Sequence, residues 1–294
     1  MLRISEARPI AIVAKPGATE ARAVLKKLCA WLKTRALPYA LDREAARIVG
    51  RGGGLGGHEL VLGSSLVIVL GGDGTLLSIA RAAAAAKAPI LGVNLGTLGF
   101  LTEVHREKML TEVRRVLGSK FRVDLRMMLQ LRILRNGRSI RTGSALNDVV
   151  INKKSTVARA VDISVEVDGR YVTSYKADGL LVSTPTGSTA YSLSAGGPIL
   201  DPKLDVLILN PICPHTLTHR PLVLSDKVTI DVRLKSVADS VFITLDGQLG
   251  YPVKAGDRIR ISRSPERVRL IRTRERDYFQ LLRSKLKWGE GPGR

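Results

Sequence analysis

Three glycines surround one carboxylate in Gly71-Gly72-Asp73-Gly74-Thr75, directly after the apolar run Leu66-Val67-Ile68-Val69-Leu70 and before a helix-like stretch from Leu76. A strand, a glycine turn and a helix start form an anion site. Glycine lets backbone N–H groups approach a phosphate, and the helix start carries partial positive charge. Asp73 adds a group able to orient a hydroxyl or hold a metal, so the segment points to phosphoryl chemistry. In a plain turn the same Asp73 would only cap the helix, and the motif alone leaves both readings open.

Three further groups carry polar chemistry. Asn147-Asp148 sets an amide beside a carboxylate just before Val149-Val150-Ile151, and by itself the pair reads as a turn. Thr184 to Pro198 gathers hydroxyls, glycines and two prolines around the start of a short helix, and a rigid turn is its other reading. Lys176 and Asp178 flank Ala177 and by themselves read as surface charge. Phe100 and Tyr191 offer apolar or stacking surface, which by itself reads as ordinary core. His58 and His105 have no metal partner at useful spacing, while His215 and His219 lie in a proline-bounded loop.

The elements that must position these residues change character along the chain. Ile10–Ala14 reads as a buried strand, Glu20 to Arg35 as an amphipathic helix, 66–70 as a strand, 76–87 as an alanine-rich helix, 89–93 as another apolar segment and 107–117 as a helix. That alternation makes a parallel α/β sheet. Past Phe121 alternating strands follow, joined by the turn pairs Asn136-Gly137 and Asp168-Gly169 and including Val161 to Val167, Val228 to Leu234 and Arg258 to Ile261. Tyr278 to Lys287 is helical again. The glycine-rich Gly50 to Gly57 lacks both a preceding strand and a Gly-Lys-Ser/Thr ending, so it reads as a flexible surface loop.

The chain has 294 residues and 45% hydrophobic content, enough for two packed domains. Its 47 Lys and Arg against 26 Asp and Glu give a net charge of +21, which favours anionic ligands. Only 4% of residues are aromatic and the basic ones are widely spread, apart from thirteen basic against five acidic between Lys254 and Arg294, so nucleic acid is not the expected partner. Two cysteines, Cys29 and Cys213, make neither a disulfide framework nor a thiolate zinc site. No apolar run suits a signal peptide or membrane span, so a cytoplasmic protein without membrane partners is expected.

Taken in order, the motif at 71–75, Asn94 to Leu101, Asn147-Asp148, Thr184 to Pro198, Pro214-His215-Thr216-Leu217, Arg220 to Val223, Asp246-Gly247-Gln248 and Lys285-Leu286-Lys287-Trp288 resemble the NAD kinase family. The resemblance implies an α/β plus β architecture: a Rossmann-like α/β domain over 1–121, a β-rich, sandwich-like dinucleotide-binding domain over 122–270, and a segment 271–294 that returns to the first domain. It implies that ATP and a divalent metal, Mg²⁺, phosphorylate the adenosine-ribose 2′-hydroxyl of NAD to give NADP, in a homodimer or homotetramer. Asp73 takes the position of the family's proton acceptor, with Gly72, Gly74 and Thr75 around the phosphates. Phe100, Asn147, Asp148, Thr189, Ala190, Tyr191, Ser194 and Gln248 fall at ligand-binding positions, as do Arg159, Lys176 and Asp178. A bulky basic residue at the place of Lys176 accompanies preference for ATP over polyphosphate.

An aspartate of ordinary acidity is a weak base for an alcohol, so alignment of the hydroxyl or metal binding remain open roles for Asp73. Two other functions share part of the pattern. Diacylglycerol-type lipid kinases carry a similar glycine–Asp motif, but the block at 184–198 and the lack of an apolar insertion for an acyl chain weigh against them. A non-catalytic dinucleotide-binding protein would have no need of Asp73.

Overall fold

The computed structural model describes every residue except 1–3, 6, 19, 154–159, 217, 236–240, 273–277 and 289–294. The chain divides into two units, Met1–Leu125 with Val268–Arg294, and Arg126–Arg267.

In the first unit, strand β1 (Ile10–Ala14) leads through helix α1 (Ala21–Lys33) to β2 (Tyr39–Leu41), then through α2 (Arg43–Val49) and α3 (Gly57–Val61) to β3 (Leu66–Leu70). Helix α4 (Asp73–Ala85), β4 (Ile90–Asn94), β5 (Val104–His105) and α5 (Met109–Leu117) follow. Strands β1, β3 and β4 are buried along their whole length, as apolar runs without alternation require in a sheet covered on both faces. The parallel order is β4-β3-β1-β2. From β1 the chain winds to β2 on one side, and from β3 it winds to β4 on the other, so the direction of winding reverses between β1 and β3. Leu25, Leu28 and Leu32 of α1 and Met109, Val113 and Val116 of α5 pack in the core that also takes Ile12, Ile68 and Leu91.

In the second unit, strands β8 (Asp148–Lys153), β11 (Gly179–Ser183), β12 (Val206–Ile212), β13 (Leu222–Ser225), β15 (Val241–Leu245) and β16 (Leu249–Val253) form an antiparallel sheet in the order β13-β12-β11-β8-β15-β16. A second layer contains β6 (Arg122–Arg135), β7 (Arg138–Ala145), β9 (Val161–Val167), β10 (Arg170–Ala177), β14 (Ile230–Leu234) and β17 (Arg258–Arg272). Leu129, Ile163, Val232 and Ile259 from this layer share one core with Ile151, Val182, Leu209 and Ile243 from the other, which makes the unit a sandwich. Asn136-Gly137 and Asp168-Gly169 both have positive φ at both positions, the geometry of a two-residue hairpin turn.

Several elements differ from the sequence expectation. Helix α4 starts at Asp73, since Gly72 takes the N-cap position, so Asp73 lies in the first turn and not in the loop before it. Gly50 to Gly57 is tied down: Leu55 N–H bonds Leu41 O at 3.0 Å, and a Cβ on Gly54 would stand 2.7 Å from Asp42 O. The strand from Arg258 runs on to Arg272, and its Leu270 pairs in parallel with Ile90 of β4 inside the first unit. Helices α2 and α3 are too short to announce themselves by periodicity.

Candidate functional site

In the first unit the glycine turn leaves β3 and enters α4. A Cβ on Gly71 would strike the Thr75 hydroxyl, whereas Cβ positions on Gly72 and Gly74 meet nothing within 4 Å, so the turn is open where an anion would approach. Helix α4 holds this start in place by burying Leu76, Ile79, Ala80 and Ala83 on one face.

The Asp73 carboxylate turns to the loop after β4. Oδ2 accepts Phe100 N–H at 2.8 Å, and Oδ1 accepts Leu101 N–H at 3.0 Å, Thr102 N–H at 3.1 Å and the Thr102 hydroxyl at 3.1 Å. Asn94, at the end of β4, supports the same hydroxyl through Nδ2 at 3.0 Å and takes Gly96 N–H on Oδ1 at 2.7 Å. A Cβ on Gly99 would collide with the Asp73 carboxylate, which explains a glycine there. Asp73 is therefore an anchor for residues 99–102, and its Oδ2 retains a lone pair. Asn94 opens one of the blocks that carry the family resemblance but has no role legible in the sequence, and Thr102 lies just past that block; both roles depend on bonds made in the fold.

In the second unit, Asn147-Asp148 sits at the start of β8. Asp246, at the β15–β16 turn with φ +52°, accepts the backbone N–H groups of Leu146 at 2.9 Å, Asn147 at 2.7 Å and Asp148 at 3.2 Å. Asp148 is 5% exposed. Burial, reinforced by the Asp246 carboxylate, pushes the Asp148 carboxyl up to about 7. Burying a carboxylate is costly to folding, and a ligand that bonds it offsets that cost. Gln248, two residues on in the same turn, is exposed, while Asp246 is the residue that fixes Asn147 and Asp148.

The block from Thr184 is largely self-supporting. Thr184 Oγ1 donates to Leu146 O at 2.6 Å, Ser183 Oγ donates to Asn147 O at 3.1 Å, and Ser188 Oγ accepts Leu200 N–H at 3.0 Å. These hydroxyls lock the block against the strand that carries Asn147 and Asp148. A 3-10 turn (Thr186–Thr189) and the four-residue α6 (Tyr191–Ser194) follow, leaving Tyr191 and Ser194 exposed and Thr189 and Ala190 half-buried. Burial raises the Tyr191 hydroxyl's pKa, and Cys213, Asp148 and Asp178 add to the effect, so these groups share one region of the unit. Asp178 pairs with Lys153 Nζ at 2.6 Å. Lys176 is exposed on β10, its carbonyl bonded by His215 N–H at 2.9 Å, and His219 packs its ring on Tyr175. Arg159 lies outside the described residues. Among those residues no group of three or more His, Cys, Asp or Glu could hold a metal ion.

Residues 59–121 match the family model for the ATP-NAD kinase N-terminal domain, and residues 146–273 match that for the ATP-NAD kinase C-terminal domain. The chain is 48% identical to an NAD kinase of Geotalea daltonii over 283 residues, covering 96% of this chain and 99% of the relative. It is 46% identical to an NAD kinase of Geobacter sulfurreducens over the same shares. Among solved structures, yeast NADH kinase complexed with NADH superposes with a TM-score of 0.88 at 23% identity, covering 97% of this chain and 89% of that one. An NAD kinase from Archaeoglobus fulgidus in complex with ATP gives 0.74 at 26% identity, covering 95% and 98%. With relatives this similar over nearly their whole length and both domain models matched in order, the chain belongs to the NAD kinase family.

Proposed function

We propose that the protein transfers the terminal phosphoryl group of ATP to the 2′-hydroxyl of the adenosine ribose of NAD, giving NADP. The observation that carries this reading is Asp148, a buried carboxyl whose backbone Asp246 fixes, on the strand against which the hydroxyl-rich block at 184–198 is bonded. Ribose hydroxyls are donors that suit such a group, while Asn147, Thr189, Ala190, Tyr191 and Ser194 serve the rest of the dinucleotide. Gln248, Lys176, Asp178 and Arg159 are secondary contacts, and Phe100 supplies apolar surface to the ligand.

The open turn at Gly72, Gly74 and Thr75 receives the ATP phosphates at the start of α4. Asp73 orders residues 99–102 and, through the remaining lone pair of Oδ2, aligns the attacking hydroxyl and takes its proton late in the transfer. A divalent cation, which we take to be Mg²⁺, would be held chiefly by the ATP phosphates at the Gly72–Thr75 turn and would supply neutralisation of their charge there. We place the enzyme in the cytoplasm as a homodimer or homotetramer. Among the described residues no helix is long and apolar enough to cross a membrane.

Incubation of the purified protein with ATP, Mg²⁺ and NAD tests the reading by the NADP formed. Product no greater than that of Asp73→Asn, with phosphorylation of diacylglycerol instead, overturns it. Polyphosphate in place of ATP and NADH in place of NAD define donor and acceptor preference.

A further inference from the structure

Open parallel sheets bind ligands outside the carboxyl ends of the strands where the winding reverses. In the first unit that point lies between β1 and β3. The glycine turn leaves β3 there. The residue that leaves β1 beside it is Lys15, whose N–H bonds Leu70 O at 2.9 Å and whose Cβ would stand 3.1 Å from a Cβ on Gly71.

Gly71-Gly72-Asp73-Gly74-Thr75 supplies backbone donors and a negative charge, but no cation, to a ligand that carries several negative charges. Lys15 is exposed and forms no ion pair among the described residues. Glu44, the acid that reaches this loop, is already engaged by Gly17 N–H at 2.9 Å and by Arg47 at 2.6 Å. Arg106, which approaches the loop after β4 through Leu95 O, is paired with Glu107 at 3.0 Å. A lysine on a flexible stem at the exit of a buried strand is well suited to follow a phosphate chain as its charge shifts during transfer.

We propose that Lys15 is a phosphate-binding residue of the donor site, its ammonium paired with the ATP phosphates at the Gly71–Thr75 turn. The proposal rests on the ATP-dependent reading above. It assigns Lys15 to the donor and not to the dinucleotide, so the two substrates should respond differently to its loss.

Lys15→Met and Lys15→Arg test this through steady-state kinetics with each substrate varied, together with calorimetric titration of ATP and Mg²⁺ into protein without NAD. Lys15→Met should lower kcat/KM for ATP by about ten- to a hundredfold, leave the KM for NAD within about twofold, and weaken ATP binding in the titration. Lys15→Arg should recover most of the loss. An unchanged melting temperature is expected for both, because the side chain is exposed. Equal ATP dependence in wild type and Lys15→Met, or a loss that falls equally on NAD, overturns the proposal. If the wild type makes no NADP yet binds ATP, the functional reading fails alone, and the titration of Lys15→Met still decides the lysine's role. A wild type that binds no ATP overturns both.

Discussion

Asp148 and Asp246 divide two tasks that a pair of neighbouring carboxylates shares. Asp246 is satisfied by three backbone N–H groups and stays a fixed acceptor, whereas Asp148 is buried against it and titrates near 7. Because the folded pKa lies above the unfolded value of 3.8, the stability linked to this proton is fully present below that value and is lost as pH rises to about 7. Asp148→Asn removes the titration. Urea unfolding should therefore show the wild type falling relative to Asp148→Asn between pH 4 and pH 7, by an amount on the order of a few kcal/mol, and parallel curves would refute the shift. Asp148→Ala should raise the KM for NAD at neutral pH, and an unchanged value would remove Asp148 from the dinucleotide site. Asp246→Ala frees three N–H groups at once and should cost about 2–4 kcal/mol in the same unfolding assay. The pair at 147–148 was legible as an amide beside a carboxylate at a strand start. The sequence held Asp246 within a quoted block but not its role, since its bonds cross to the neighbouring strand β8, 100 residues away at Leu146, and no spacing rule links the two segments.

At the scale of elements, Asp73 binds the start of α4 to the loop after β4. The strand–turn–helix at 66–85 followed from an apolar run, glycines and alanine-rich periodicity, all local signals. The turn's connection to Phe100, Leu101 and Thr102 is tertiary and had no such signal. Gly99→Ala drives a methyl group into the Asp73 carboxylate, so it should reduce turnover by about a hundredfold or more and speed amide exchange at residues 100–102. Exchange as slow as in the wild type would show that the loop does not depend on this contact. Gly72 and Gly74, whose Cβ positions are open, should tolerate alanine structurally while losing ATP affinity.

For the molecule as a whole, the net charge of +21 acts on substrates that are both anionic. A field of this sign speeds the encounter with ATP and NAD and is screened over roughly 8 Å at physiological salt, so kcat/KM for each should fall as ionic strength rises while kcat changes little. An insensitive kcat/KM would leave the charge without a part in catalysis. The chain path has a separate consequence. The first unit is made of Met1–Leu125 and Val268–Arg294, with Leu270 paired beside Ile90, so its sheet cannot close until the whole of Arg126–Arg267 has been synthesised. On the ribosome, the phosphate turn is thus translated early but must wait for the strand around Leu270 before its sheet gains the neighbour of β4. A nascent chain halted before Val268 should leave that unit more open to protease than one extended past it.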